Sequence, residues 1–161
     1  MSELDEIAAR VAGKLIARGE TIAISESSAG GLISAALLAV PGASAYFLGG
    51  AVVYTMKARE ALLGITDEQM RSLGLRSASE PYAALCAGRV RERFGTSWGL
   101  SETGAAGPTG NRYGDAAGHA CFAVDGPSRS TATLETGHGD RPANMQIFAA
   151  AALALLDKEL G

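Results

Sequence analysis

The sequence has little of what marks a nucleic-acid, membrane or disulfide-framework protein. Lysine and arginine number 14 against 17 aspartates and glutamates, giving a formal net charge of −3. No basic run breaks that balance, and sequence-independent binding to DNA or RNA requires a positive face. No nucleic-acid partner is therefore expected. Cysteine is scarce. Cys86 and Cys121 are the only two, too far apart in sequence for a zinc motif. They are expected as small buried thiols in a reducing compartment. The most apolar stretch, Gly30 to Val40, is too short to span a bilayer, and MSELDEIAARVAGKLIARGE at the N-terminus is charged and amphipathic rather than a signal peptide. The expectation is a cytoplasmic chain with no membrane partner. Standard nucleotide motifs are missing as well. GAAGPTGN lacks the Gly-Lys-Ser/Thr ending of a P-loop, and no Gly-x-Gly-x-x-Gly opens a helix. ESSAG lacks the leading glycine of a Gly-x-Ser-x-Gly nucleophile elbow.

What is present is apolar and regularly patterned. Apolar residues make up 47% of 161 positions, enough for one full core, and one domain over residues 1–161 is expected. Leu4, Ile7, Ala8, Val11 and Leu15 recur at helical spacing, and Gly19 stands where such a helix stops. TIAIS (Thr21–Ser25) is a short β-branched run that reads as a buried strand, and Gly31 to Ala39 reads as a helix. GAVVYT (Gly50–Thr55) predicts a second strand. Two short helices follow, the second capped by Thr66. Ser79, with Pro81 behind it, opens a helix to Phe94 that Gly95 ends. TSWGLSETG predicts a third strand, with Trp98 packing. His119–Val124 and Ser130–Gly137 predict an antiparallel pair about a DGPS turn. A last helix from about Pro142 is expected to bury Met145, Phe148, Ala152, Leu156 and Leu160. Helices alternating with strands, then a hairpin and a closing helix, predict an α/β fold. It would be a three-layer α/β/α domain with a mixed sheet, parallel early and antiparallel late.

Ligands in open α/β sheets sit beyond the carboxyl ends of strands. Two loops occupy that position, SESSAGG after the first strand and ETGAAGPTGN after the third. Glycines let backbone amides approach an anion, and a helix N-terminus adds favourable partial charge. Two readings of the first loop stay open. Ser27 is a nucleophile, or Ser27 or Ser28 caps a helix while Gly30 and Gly31 permit close packing. Glu26 beside the helix start favours the helix dipole.

ESSAGG, PGASAYFLGGAVVYTMKAREALLGI, SEP, TGAAGPTGN, GHACFAV and GDR, in that order over almost the whole chain, resemble the C-terminal domain family of competence/damage-inducible protein CinA. That family includes stand-alone nicotinamide-nucleotide amidases. The resemblance implies hydrolysis of the carboxamide of a mononucleotide-like ligand by a serine–lysine dyad, with no metal and no cofactor, and it implies homo-oligomers. The nucleophile would be Ser27. Tyr54 would orient substrate or relay a proton, and Arg141 would pair with an anionic group. Glu26, Ser28, Gly30, Gly31, Thr103, Gly104 and Gly107 would form the binding loops, whose amides would serve a developing oxyanion.

The match has departures. The family pattern Tyr-Ser/Thr-Asn-x-x-Lys reads Tyr54, Thr55, Met56, Lys57, Ala58, Arg59 here, so the lysine position holds Arg59. A guanidinium keeps its proton in proteins and is no base. Lys57 is the remaining candidate, although two residues along a helix turn it away from Arg59. Lys-Pro-Val-Gly becomes Asp115, Ala116, Ala117, Gly118, and the arginine that follows GDR becomes Met145. Two functions therefore stand side by side: an amidohydrolase with a shifted pocket, or a small-molecule-binding or regulatory protein without turnover.

Overall fold

A computed structural model describes all residues, Met1–Gly161. Five strands form one sheet in the order β2-β1-β3-β4-β5. They are β1 (Ile22–Glu26), β2 (Phe47–Val52), β3 (Trp98–Ala105), β4 (His119–Asp125) and β5 (Ser130–Glu135). β1 runs parallel to both β2 and β3. β4 and β5 are antiparallel to their neighbours. The expected mixed α/β sheet is the one found.

Six α-helices cover it: α1 (Glu3–Arg18), α2 (Leu32–Leu38), α3 (Met56–Leu63), α4 (Asp67–Ser72), α5 (Glu80–Phe94) and α6 (Arg141–Leu160). Alternation along the strands makes the layers. Ile22, Ile24, Ala120, Phe122 and Val124 pack with α1, α2 and α6 in a cluster of 27 buried residues. Ala23, Cys121 and Ala123, pointing the other way, meet α5. Central strands buried on both faces read as continuous apolar runs, which is why TIAIS is legible. At roughly 25 cal/mol per Å² of apolar surface removed from water, these two cores dominate the favourable energy of folding.

Helix ends follow the sequence signals. Ser2 and Asp5 form a capping box on α1, and Gly19 ends it in the left-handed region. Thr55, Thr66 and Ser79 cap α3, α4 and α5.

Three expectations are corrected. The second strand is Phe47–Val52, not Gly50–Thr55. Glycine is a poor strand residue, but here close packing demands it. A Cβ on Gly49 would lie 2.3 Å from the Phe94 ring, and one on Gly50 would lie 2.5 Å from Ser34 Oγ. Beyond Val52 the chain leaves the sheet, and Thr55 is committed to capping α3. Next, α2 is capped by neither serine. Finally, Met145 is only half-buried, because it lies over Gly30 at the edge of the core rather than inside it.

Candidate functional site

The register that pairs Ser25 with Ser101 brings Glu26 and Glu102 together at the carboxyl ends of β1 and β3. Both are buried. Neighbouring buried carboxylates are costly unless donors surround them, and donors do. Glu26 accepts from the amides of Gly31 and Ile33 at 3.0 Å each and of Ser34 at 2.8 Å. Glu102 accepts from the amides of Ser27 at 2.9 Å and Ala29 at 2.8 Å, and from the Ser28 hydroxyl at 2.5 Å. Burial pushes the Glu102 carboxyl up, and Glu26 adds to that, against the pull of those three hydrogen bonds.

This narrows the reading of the loop as an open anion site. The amides of Ser27, Ala29 and Gly31 are already spent on the protein's own carboxylates, and the Gly30 amide bonds to the Ser27 carbonyl. Glu26 is the cap of α2 rather than a ligand contact. The result is a rigid loop that presents one side chain, Ser27, to a cavity.

That cavity, about 350 Å³, opens beside Ser27, between the segment after β2, the start of α3 and the loop after β3. Ser27, Tyr54, Arg59, Thr103 and Gly104 from the sequence reading all line it. Arg112 and Tyr113 form its outer wall, with the Arg112 guanidinium 3.1 Å from the Tyr113 hydroxyl. That hydrogen bond, more than the partial burial that opposes it, lowers the Tyr113 pKa.

Other expected residues lie elsewhere. Lys57 is exposed on α3 and does not line the cavity, as a two-residue offset on a helix dictates. Gly30 and Gly31 lie under Met145 and Val52. Gly107 packs against Gly139, and Ser28 is turned inward to Glu102. Arg141 donates to the Gly107 carbonyl and, at 2.9 Å, to the Tyr54 hydroxyl, so it braces the site from outside the lining.

Arg59 is the least expected member. It is 6% exposed. Its guanidinium reaches Asp67 at 2.7 Å and Ser77 at 3.2 Å, and lies 5.7 Å from the centre of the Tyr82 ring. A guanidinium paired in this way is fixed in place and charged.

The back wall rests on a strained residue. Ala78 adopts φ +57°, a left-handed conformation unusual for any residue but glycine. Its amide donates to Thr103 Oγ1 at 3.2 Å. Its carbonyl accepts from His119 Nε2 at 2.8 Å.

Several residues of this arrangement were not foreseen, among them Glu102, Asp67, Ala78 and Asn144. Asn144 is fully buried and donates to the carbonyls of Ala106, 2.8 Å, and His138, 2.9 Å, tying the loop after β3 to α6. Glu102 carried a signal, since a carboxylate inside the otherwise uncharged run WGLSETG demands a buried partner. The others carried none.

The sheet order and the two loops at its carboxyl edge can be compared with known proteins. A family model described as CinA C-terminal domain matches residues 4–160. The chain belongs to the CinA C-terminal domain family. A CinA-like protein of Anaeromyxobacter sp. strain K is 40% identical over 152 residues, which are 94% of this chain and 37% of that protein. A CinA-like protein of Parasynechococcus marenigrum is 38% identical over 137 residues, 85% of this chain and 32% of that protein. The chain thus spans about a third of the length of such relatives. Among solved structures, a competence or damage-inducible protein from Enterobacter asburiae superposes with a TM-score of 0.90 at 27% identity, each chain covered over 100% of its length. A CinA superfamily protein from Escherichia coli gives 0.88 at 26% identity, covering 96% of this chain and 90% of the other. No helix of this CinA domain is long and apolar enough to cross a membrane.

Proposed function

We propose that the cavity beside Ser27 is the active site of a CinA-like amidohydrolase that cleaves the carboxamide of a small mononucleotide-like molecule. The observation that carries this reading is the placement of Ser27. Its backbone is locked by Glu102 while the residue lines a polar cavity at the carboxyl edge of the sheet. A serine held in this way can add to an amide carbon. Its proton passes to the leaving nitrogen, ammonia departs, and water then releases the acid from the acyl-serine. Tyr54, fixed by Arg141, and Thr103 supply hydroxyls along the wall.

A second reading rests on a specific observation. The lysine position of the family holds Arg59, paired to Asp67, and a guanidinium does not take the serine proton. In that reading the CinA domain binds its small molecule and does not turn it over.

One experiment separates the two. Ammonia release from nicotinamide mononucleotide is measured for the wild type and Ser27→Ala, with calorimetric binding alongside. Release that is lost in the variant supports the hydrolase. Binding without release supports the second reading, and neither binding nor release overturns both.

A further inference from the structure

Ser77, Ala78 and Thr103 line the cavity, and the turn that carries the first two is tied to three elements. From β3, Thr103 Oγ1 accepts the Ala78 amide at 3.2 Å. From α3, the Arg59 guanidinium donates to Ser77 Oγ at 3.2 Å. From β4, His119 Nε2 lies 2.8 Å from the Ala78 carbonyl, and the Cys121 thiol donates to the same oxygen at 3.5 Å. A left-handed backbone at a residue other than glycine persists only where its surroundings impose it. A charged donor makes the stronger hydrogen bond, so the hold on Ala78 depends on the protonation of His119.

No neutral form of His119 suits this setting. Its Nδ1 faces the Glu135 carboxylate and its Nε2 the Ala78 carbonyl, both acceptors. A neutral imidazole has one N–H and one lone pair. Whichever nitrogen gives up its proton therefore turns a lone pair onto an acceptor oxygen. The charges around the ring come from four segments. Glu135 stands on β5, and Asp115, in the loop after β3, lies 3.7 Å from Nε2. Arg76, before α5, pairs with Asp115 at 2.6 Å and offsets part of its charge. Glu80 on α5 is turned to Thr131 and Thr133. Cys121, its pKa raised by burial, stays a neutral thiol. Burial of His119 opposes its charge, and Glu135, the Ala78 carbonyl and Asp115 outweigh it.

We propose that His119 is a positioning residue for this cavity: doubly protonated it holds the Ser77–Ala78 turn in place, and on giving its proton to solvent it releases the turn. The proposal rests on the cavity beside Ser27 being the working site, and it gives that site a control by pH. The wall is fully assembled below the ordinary histidine range and loosens as pH climbs through the raised His119 value.

The test follows ring and wall separately, by NMR of the whole chain without ligand between about pH 6 and pH 9. His119 is one of two histidines, and its ring signal is assigned by its absence in His119→Gln. Exchange of the Ala78 amide, corrected for base catalysis, is read at each pH beside that of Ile24 on β1, which has a strand on either side. Protection of Ala78 is expected to fall about tenfold through the midpoint of the ring titration while Ile24 holds. Glu135→Gln is the sharper variant. Its amide can donate to Nδ1, so the neutral ring keeps its Nε2–H on Ala78, and the fall should vanish although the ring still titrates. His119→Gln, which donates to Ala78 at every pH, should be flat as well. The proposal is overturned if Ala78 protection ignores the ring titration, if it falls together with Ile24, or if Glu135→Gln shows the same fall as the wild type. Glu135 is exposed on an edge strand, so its variant decides the matter even if His119→Gln fails to fold. No ligand is present in this test. Failure here leaves the amidohydrolase reading untouched, and absence of ammonia release leaves this result untouched.

Discussion

Nε2 of His119 lies 2.8 Å from the carbonyl oxygen of Ala78, while Nδ1 of the same ring faces the Glu135 carboxylate. Both partners are acceptors, so the surroundings favour the ring protonated on both nitrogens. Asp115 stands 3.7 Å from Nε2 and is itself held by Arg76, and Cys121 Sγ lies 3.6 Å away. Burial works against this charge. Glu135, the Ala78 carbonyl and Asp115 outweigh it and raise the His119 pKa. The strained turn that forms the cavity wall is thus fastened to the sheet by His119.

Stability should therefore depend on pH through His119. A raised folded-state pKa contributes stability that is complete below the unfolded value, near 6.5, and is lost as pH climbs through the folded one. Urea unfolding of the wild type between about pH 6 and pH 9 should show that decline. His119→Gln, whose amide can still donate to Ala78, should not show it.

Ala78→Gly should be neutral or stabilising. Relief of the left-handed backbone is worth about 1–2 kcal/mol, and the added freedom of the unfolded chain costs about 0.4–1 kcal/mol, leaving a net gain of about 0–1.6 kcal/mol. The urea midpoint measures it. A clear loss of stability would mean that the turn is not strained.

Glu102 should tolerate glutamine far better than alanine. A glutamine oxygen can accept from the amides of Ser27 and Ala29 while its NH2 donates to the Ser28 hydroxyl, a cost of about 1 kcal/mol or less. Alanine strands three buried polar groups at about 1–3 kcal/mol each, which should lower the melting temperature by roughly 10 °C or more. Calorimetric melting of the two variants checks the order.

Arg59→Lys by itself should not raise ammonia release from nicotinamide mononucleotide. Asp67 would hold the new ammonium charged, as an opposite charge at such range does. In the double variant Arg59→Lys with Asp67→Asn that hold is gone, and turnover should exceed that of the single variant, most clearly at alkaline pH. Equal turnover in the two would show that Asp67 is not what keeps the position charged.

Asn144→Asp should destabilise the chain by about 3 kcal/mol or more, since it would set a buried carboxylate against the carbonyls of Ala106 and His138. Asn144→Ala should cost less, because it removes the donor without adding a charge. Urea titration of the two variants measures the difference.

Much of the architecture was written in local pattern. The caps at Thr66 and Ser79, the stop at Gly95, the buried run TIAIS and the late hairpin each rest on chemistry within a few residues, and the mixed sheet follows from their order. The second strand was started too late because Gly49 looks like a strand breaker until the Phe94 ring is seen against it, and it was run too far because nothing local shows that Thr55 caps α3. Ser27 was legible as a cavity residue from its loop, and Tyr54 only through the family resemblance.

The state of those residues was not legible. Sequence alone settled that a serine follows the first strand, that arginine stands where a lysine is expected, and that the chain folds as α/β. Only the tertiary structure decided that the loop amides are spent on Glu102 and Glu26, that Asp67 fixes Arg59, and that His119 holds Ala78. Helix caps and strand burial are set by near neighbours along the chain. The charge and hydrogen bonding of a buried group are set by whatever the fold carries to it, which for Ser27 is a carboxylate from a strand seventy-five residues away.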